Sequence, residues 1–417
     1  MFLKEIRIKN FSIHRDTKLQ LSPLTVFVGP NGGGKSALFE ALLNFSMISR
    51  GNIRQAFNRY PFSFAATFHR GAVTPGRISF SVTMAERFDS SDMLRYEIQY
   101  SQTGTNDDFP AFTIFNERLT KDPGGHLLFD RNDPPQEFNG LLENDRSLFS
   151  AIKFALTTNR QLNLDPLVTH CAQNISRFNR FRPEPGILDQ PSRLPELPPL
   201  PLAGGPQSAS VAQAAPRIGY AGDDLAATLY FMKEVAAPEL ELVKERIQEI
   251  EPSFQDFEFN VIGTDRIGFS AVFSDGRQSI AAPRLSSGLL TFIGLVVLVT
   301  SPNRPGIMMI EEPENGLTPQ AIAAFYRCLK ALATNSEPTR RSQVLISSHS
   351  PFVICEAWNG EDRDFIHQVK VVQGRSQIRK FSKVIEEQGL QLGKDDQGGR
   401  THLSLKTAEE VMGGRFS

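Results

Sequence analysis

The chain has 417 residues, 40% of them hydrophobic and 22% charged, with a formal net charge of −1. These are the fractions of an ordinary globular protein, with room for two or three domains or one large head carrying insertions. The near-neutral balance excludes wholesale coating of nucleic acid, though a local basic face stays open. Cys171, Cys328 and Cys355 are too scattered for a disulfide framework or a zinc site. The opening Met1-Phe2-Leu3-Lys4-Glu5 lacks a signal-peptide core, and the longest apolar run, 289–299, is too short to span a bilayer. A reduced, cytoplasmic setting without a membrane partner is expected.

Residues 2–9 alternate apolar and charged side chains, which predicts a strand with one solvated face. A turn around 10–15 follows, then strands at 18–21 and 24–28. The second runs into Gly29-Pro30-Asn31-Gly32-Gly33-Gly34-Lys35-Ser36, and Ala37-Leu38-Phe39-Glu40-Ala41-Leu42-Leu43 leaves as a helix. That is G-x-x-x-x-G-K-S between a strand and a helix. Backbone N–H groups converge on phosphate oxygens only where no Cβ intervenes, and the helix N-terminus adds partial positive charge. Lys35 is expected to reach the β- and γ-phosphates of a nucleotide, and the Ser36 hydroxyl to sit on Mg²⁺. The chain reads as a nucleotide-binding protein.

Runs at 62–68, 78–84, 94–100 and 112–115 read as strands, and helical periodicity returns over 145–178. Nine prolines fall within 183–216, with a Gly/Ser/Ala/Gln-rich tail, so that stretch is expected to hold neither helix nor sheet. Helices are predicted from Asp223 and from Pro238, the latter ended by Pro252. A hairpin follows, with strands at 257–262 and 267–273 joined through Gly263-Thr264-Asp265. No heptad pattern is long enough for a coiled-coil arm.

The second half carries a constellation. Leu285-Ser286-Ser287-Gly288 precedes an apolar helix, with a serine as the natural cap. Then Ile307-Met308-Met309-Ile310 predicts a buried strand ending in Glu311-Glu312. Acids at the C-terminal end of a parallel strand stand where α/β folds place ligands. Glu311 is expected to hold Mg²⁺, and Glu312 to orient and deprotonate an attacking water. Pro313-Glu314-Asn315-Gly316-Leu317-Thr318-Pro319 reads as a rigid turn opening a helix at Pro319. A further strand ends in Ser347-Ser348-His349-Ser350-Pro351, where the His349 imidazole can bond a γ-phosphate or the water.

These motifs, in this order, resemble an ABC-type ATPase head. The Glu311-to-Leu317 string and Ser348-His349-Ser350-Pro351 are most similar to the OLD-like ATPase group, also called AAA15 or AAA-21, related to Rad50, SMC and RecF heads. Arg180-Phe181-Arg182-Pro183 and Gly222-Asp223-Asp224-Leu225-Ala226-Ala227 also look like a stretch of those proteins. The resemblance covers 1–50 and about 220–355 well, and the middle loosely. It departs from relatives in Glu311 for the commoner Asp, in Thr318 where many have His, and in a signature lacking its second glycine and glutamine.

The resemblance implies an α/β P-loop NTPase fold: an ATPase head with an inserted β/helical region. It divides the chain into 1–74 and 216–417, the two parts of the head, and 75–215, an insert ending in the Pro-rich linker. It implies a head that dimerises on ATP, alone or in higher oligomers built of dimers. Gly29 to Ser36 would hold the phosphates, Glu311 the metal, Glu312 the role of base and His349 that of switch. Ser286, Ser287 and Gly288 would face the γ-phosphate of the other subunit. Gln161 is the candidate for the Q-loop glutamine. Only 68 residues follow His349, too few for the Toprim nuclease of about a hundred that OLD proteins append. Asp362-Arg363-Asp364 reads as a solvated loop. The expected function is therefore Mg²⁺-dependent hydrolysis of ATP, controlling a separate effector (a nuclease or toxin) in bacterial anti-phage defence or a DNA transaction. The alternatives are a nucleotide-gated scaffold and a DNA-clamping repair ATPase, with nucleic acid left open as a partner.

Overall fold

The computed structural model describes residues 1–58, 64–69, 76–103, 111–198, 214–276, 279–335, 341–359, 363–390, 392–394 and 401–413. Its centre is a six-stranded sheet in the order β16-β15-β3-β14-β13-β8. These are β3 (Leu24–Val28), β8 (Phe178–Phe181), β13 (Ile307–Glu311), β14 (Gln343–Ser348), β15 (Ile366–Val372) and β16 (Arg375–Lys380). All pairs are parallel except β15 with β16. A parallel sheet is covered on both faces, which is why β3, β13 and β14 are buried along their whole length and apolar at their centres.

Side chains alternate across that sheet. Phe27, Ile307, Met309 and Leu345 face one core, and Val26, Met308, Ile310 and Val344 the other. The first core holds α1 (Lys35–Ile48), whose Leu38, Leu42 and Phe45 are fully buried. It is closed by a second sheet in the order β2-β1-β4-β5-β6-β7, made of β1 (Phe2–Phe11), β2 (His14–Gln20), β4 (Ile78–Ala85), β5 (Met93–Gln102), β6 (Phe112–Asp122) and β7 (His126–Asp130). α1 is thus sandwiched between two sheets, and each fully buried phenylalanine of this layer contributes about 2 kcal/mol. The buried amide of Gln343 stitches the sheets together: it accepts from Leu3 N–H at 2.8 Å and donates to Leu3 and Ser22 carbonyls. β1 pairs with β4 along seven residues, so segments 1–74 and 75–215 share one sheet and one core.

The other face is covered by the helices α7 (Leu225–Val235), α8 (Ala237–Gln248), α9 (Ser287–Thr300) and α10 (Pro319–Ala333), with the hairpin of β10 (Phe254–Ile262) and β11 (Arg266–Phe273) beyond them. α9 is buried almost all round, as its apolar sequence requires. The predicted helices at 145–178 are α4 (Leu148–Thr157) and α5 (Pro166–Ile175).

Two expectations are corrected. Within 62–68, Phe64–Thr67 is a helical turn, α3, after α2 (Ile53–Asn58), while 62 and 63 lie outside the described residues. Phe64 and Phe68 stack at 5.8 Å, an i,i+4 contact that a strand cannot make. Within 183–216, Pro185–Leu188 is a short helix, α6, and Ser192–Arg193 pairs with β11 as β9. Pro185 is tolerated because it stands in the first turn, where the missing N–H has no helical partner. Residues 199–213 of that stretch, and Asp362 of Asp362-Arg363-Asp364, lie outside the described residues.

Candidate nucleotide site

β3, β13 and β14 run parallel, so their C-terminal ends converge on one edge of the sheet. β3 delivers the glycine loop. A Cβ on Gly29 would lie 2.1 Å from the Val369 carbonyl oxygen of β15, so only glycine lets the loop rest there. Gly34, at φ +105°, caps α1, and its carbonyl accepts from His14 Nε2 at 3.3 Å. The other His14 nitrogen meets Thr17 Oγ1 at 3.1 Å, and burial pushes the imidazole pKa down to about 4, which keeps it neutral. The helix therefore starts from a pinned turn.

Lys35 is buried, its ammonium donating to the Gly29 and Pro30 carbonyls at 2.6 and 3.0 Å. Burial lowers its pKa, and the charges of Glu312, Glu314 and Glu311 work against that shift. Ser36 Oγ donates to Glu311 Oε2 at 2.9 Å. A hydroxyl and a carboxylate set side by side beneath the glycine loop are hard oxygen donors of the kind Mg²⁺ takes. Among the described residues there is no cluster of three His, Cys, Asp or Glu that could hold a metal alone. The donor set fits Mg²⁺.

Glu312 adopts φ +46°, a left-handed conformation that costs a non-glycine residue about 1–2 kcal/mol. Its N–H is held by the Ser347 carbonyl at 2.8 Å, and its carbonyl accepts from Asn315 N–H. The strain marks a constrained carboxylate. Glu312 Oε2 accepts from Arg182 at 3.3 Å and from Asn315 Nδ2 at 3.1 Å. His349 Nδ1 lies 3.8 Å from Glu312 and 3.4 Å from Glu314. Glu314 is buried and fixes the end of β14, accepting from Ser348 Oγ at 2.7 Å and from the His349 N–H at 2.9 Å.

Lys35, Ser36, Glu311, Glu312 and His349 are thus brought to one edge. Ser286, Ser287 and Gly288 are not joined to them. Ser286 caps α9 through Leu289 N–H, and Gly288 packs on the Gly316 carbonyl, 2.5 Å from a built Cβ, with nothing of the Gly29–Ser36 loop within 4 Å. Gln161 is exposed in the loop between α4 and α5, not at a strand end of this sheet. The strand end beside β13 belongs to β8, and it carries arginines. Arg180 Nε bonds Glu311 Oε1, its Nη1 lies 3.5 Å from Glu40, and its guanidinium sits 5.2 Å from the Tyr220 ring centre. Burial is the largest single influence and opposes the Arg180 charge, but the bond to Glu311 together with the charges of Glu311, Tyr220 and Glu40 leaves the pKa raised. Arg180, Arg182 and Glu314 were assigned no role from sequence. The R-F-R-P string was the signal available for the first two, and the E-P-E-N-G string for the third.

The sheet, the glycine loop and the paired acids define an ABC-type ATPase head. The chain belongs to the AAA_21 family, described as "AAA domain, putative AbiEii toxin, Type IV TA system", whose profile matches residues 24–355. A stretch of 54 residues is 43% identical to the DNA double-strand break repair Rad50 ATPase of Methanococcus maripaludis. That stretch is 12% of this chain and 5% of the relative, so the likeness spans a small part of that protein. A crystal structure of the SmcHead bound to the C-winged helix domain of ScpA is 12% identical with a TM-score of 0.51, covering 92% of this chain and 99% of that one. The SMC head domain from Thermotoga maritima is 16% identical with a TM-score of 0.45, covering 91% and 99%.

Proposed function

We propose that the chain is a Mg²⁺-dependent ATP hydrolase whose sites are shared between two copies, and whose nucleotide state controls a separate effector protein. The convergence of Lys35, Ser36, Glu311, Glu312 and His349 on the ends of three parallel strands carries the reading. Lys35 exchanges its two carbonyl contacts for phosphate oxygens, and the glycine loop supplies N–H donors around them. Ser36 and Glu311 would hold Mg²⁺, which when bound would draw charge from the phosphate oxygens. For that, Glu311 gives up part of its pairing with Arg180. Glu312, steadied by Arg182 and Asn315, takes a proton from the attacking water, and His349 reports the γ-phosphate to the Glu312–Glu314 pair. Ser286, Ser287 and Gly288 face outward for the γ-phosphate bound by the second copy.

The family description names a toxin of a toxin–antitoxin system, which supports a place for this chain in such a system. The SMC head bound to a ScpA domain supports a protein partner docking on such a head. No described helix is long and apolar enough to cross a membrane. Steady-state phosphate release from ATP tests the reading. Mg²⁺-dependent multiple turnovers are expected, and a chain that binds ATP without turnover is a nucleotide-gated scaffold instead. DNA binding that appears only with ATP and weakens steeply with salt would favour a clamp.

A further inference from the structure

β8 is the last strand of the central sheet, and a cavity of about 550 Å³ opens along its outer edge. Five arginines line it: Arg50 after α1, Arg177 and Arg180 around β8, Arg217, and Arg304 beyond α9. None of the described lining residues is acidic. The floor is apolar, from Leu43, Met47, Ile218 and Leu298. In the wall behind it, Ser301 Oγ and Arg177 Nε are buried without a hydrogen-bond partner, while Arg177 Nη2 bonds Asn303 Oδ1 at 3.2 Å. Burial and then Arg217 depress the Arg177 pKa, and burial followed by Arg50 and Arg217 depresses that of nearby Lys153. Like charges gathered around unsatisfied donors cost the fold stability, and an anion would relieve that cost.

We propose that this cavity binds a small phosphorylated ligand of the nucleotide class and transmits its occupancy to the catalytic edge through Arg180. The volume is that of a small-molecule site. Guanidinium groups suit phosphate oxygens in bidentate fashion, and the apolar floor suits a planar base. A polynucleotide needs a stripe of cations, whereas these converge on one cavity. Arg180 belongs to both places: it lines the cavity and bonds Glu311. A phosphate that takes part of the Arg180 guanidinium loosens its hold on Glu311 and frees that carboxylate for Mg²⁺. This link rests on the reading of Glu311 as the metal-holding acid.

The probe is thymidine bisphosphate, titrated calorimetrically into the full chain already saturated with Mg²⁺ and the analogue AMPPNP, so that the phosphate loop is filled. Saturable binding is expected, weakened by about tenfold or more in the double variant Arg50→Glu, Arg217→Glu. Both residues are exposed, and Arg50 gives up a bond to the Phe178 carbonyl at 3.2 Å, so the thermal unfolding temperature should fall only slightly, and unchanged AMPPNP binding serves as the folding control. The probe should also lower the Mg²⁺ concentration needed for half-maximal AMPPNP binding. No saturable binding, equal affinity in the double variant, or displacement of the probe by AMPPNP would overturn the site. A single-stranded oligonucleotide that binds the same arginines more tightly than the probe would overturn the small-ligand assignment. An unchanged Mg²⁺ requirement would overturn the coupling. Loss of AMPPNP binding in the parent chain would instead count against the phosphate loop.

Discussion

Lys35→Ala should abolish ATP binding, with affinity falling by about a hundredfold or more. The ammonium is buried at the mouth of the glycine loop and held by two backbone carbonyls. Burial already disfavours its charge, so the fold keeps a desolvated cation where a polyanion is to be received. Arg180 and Arg182 reach Glu311 and Glu312 rather than the carbonyls of the glycine loop, so neither stands in for it. Fluorescence titration with a labelled ATP analogue checks this. Undiminished binding would mean that the Gly29–Ser36 loop is a structural turn.

Glu312→Gln should leave ATP binding within about twofold of the parent and lower phosphate release by about a hundredfold or more. The amide keeps a hydrogen bond to water but cannot accept its proton. It also preserves acceptor contacts to Arg182 and Asn315 through its oxygen, so the left-handed turn should survive. Glu311→Gln should differ: it weakens the Mg²⁺ shell with Ser36 and should raise the Mg²⁺ requirement for nucleotide binding. If Glu312→Gln turns over at the parental rate while Glu311→Gln does not, the two acids have exchanged roles.

The parts of this site that are contiguous in sequence were legible. The loop from Gly29 to Ser36, the strand ending in Glu311-Glu312 and the strand ending at His349 each announce themselves through local pattern, and parallel pairing sets them side by side. What stayed hidden depends on pairing across sequence distance. Arg180 touches Glu311 only because β8 lies against β13, with Arg180 opposite Met309, and nothing local to 178–182 declares that neighbour. Glu314 looked like part of a turn, yet it fixes both the Ser348 hydroxyl and the His349 N–H. The strand expected at 62–68 failed because aromatic residues serve either element, and here the Phe64–Phe68 spacing made the difference. The Pro-rich stretch held a helical turn because proline is excluded from helix interiors, not from their first positions.

The shared site is tested most directly by mixing two inactive variants. One is Lys35→Ala. The other is Ser286→Arg, preferred to a change at Gly288 because any side chain there would strike the Gly316 carbonyl of its own chain. Ser286 is exposed, and losing its cap should cost only about 1 kcal/mol. Each homodimer lacks one half of both sites. A mixed dimer keeps one intact site, made of Lys35 from the second variant and Ser286 from the first. In an equimolar, freely exchanging mixture about half the dimers are mixed, so phosphate release should recover to about a quarter of the parental rate if the two sites act independently, and to less if they are coupled. Recovery above either variant alone is the predicted result. No recovery, in a mixture shown by crosslinking to contain mixed dimers and with parent–variant mixed dimers still active, would contradict a site shared between two copies.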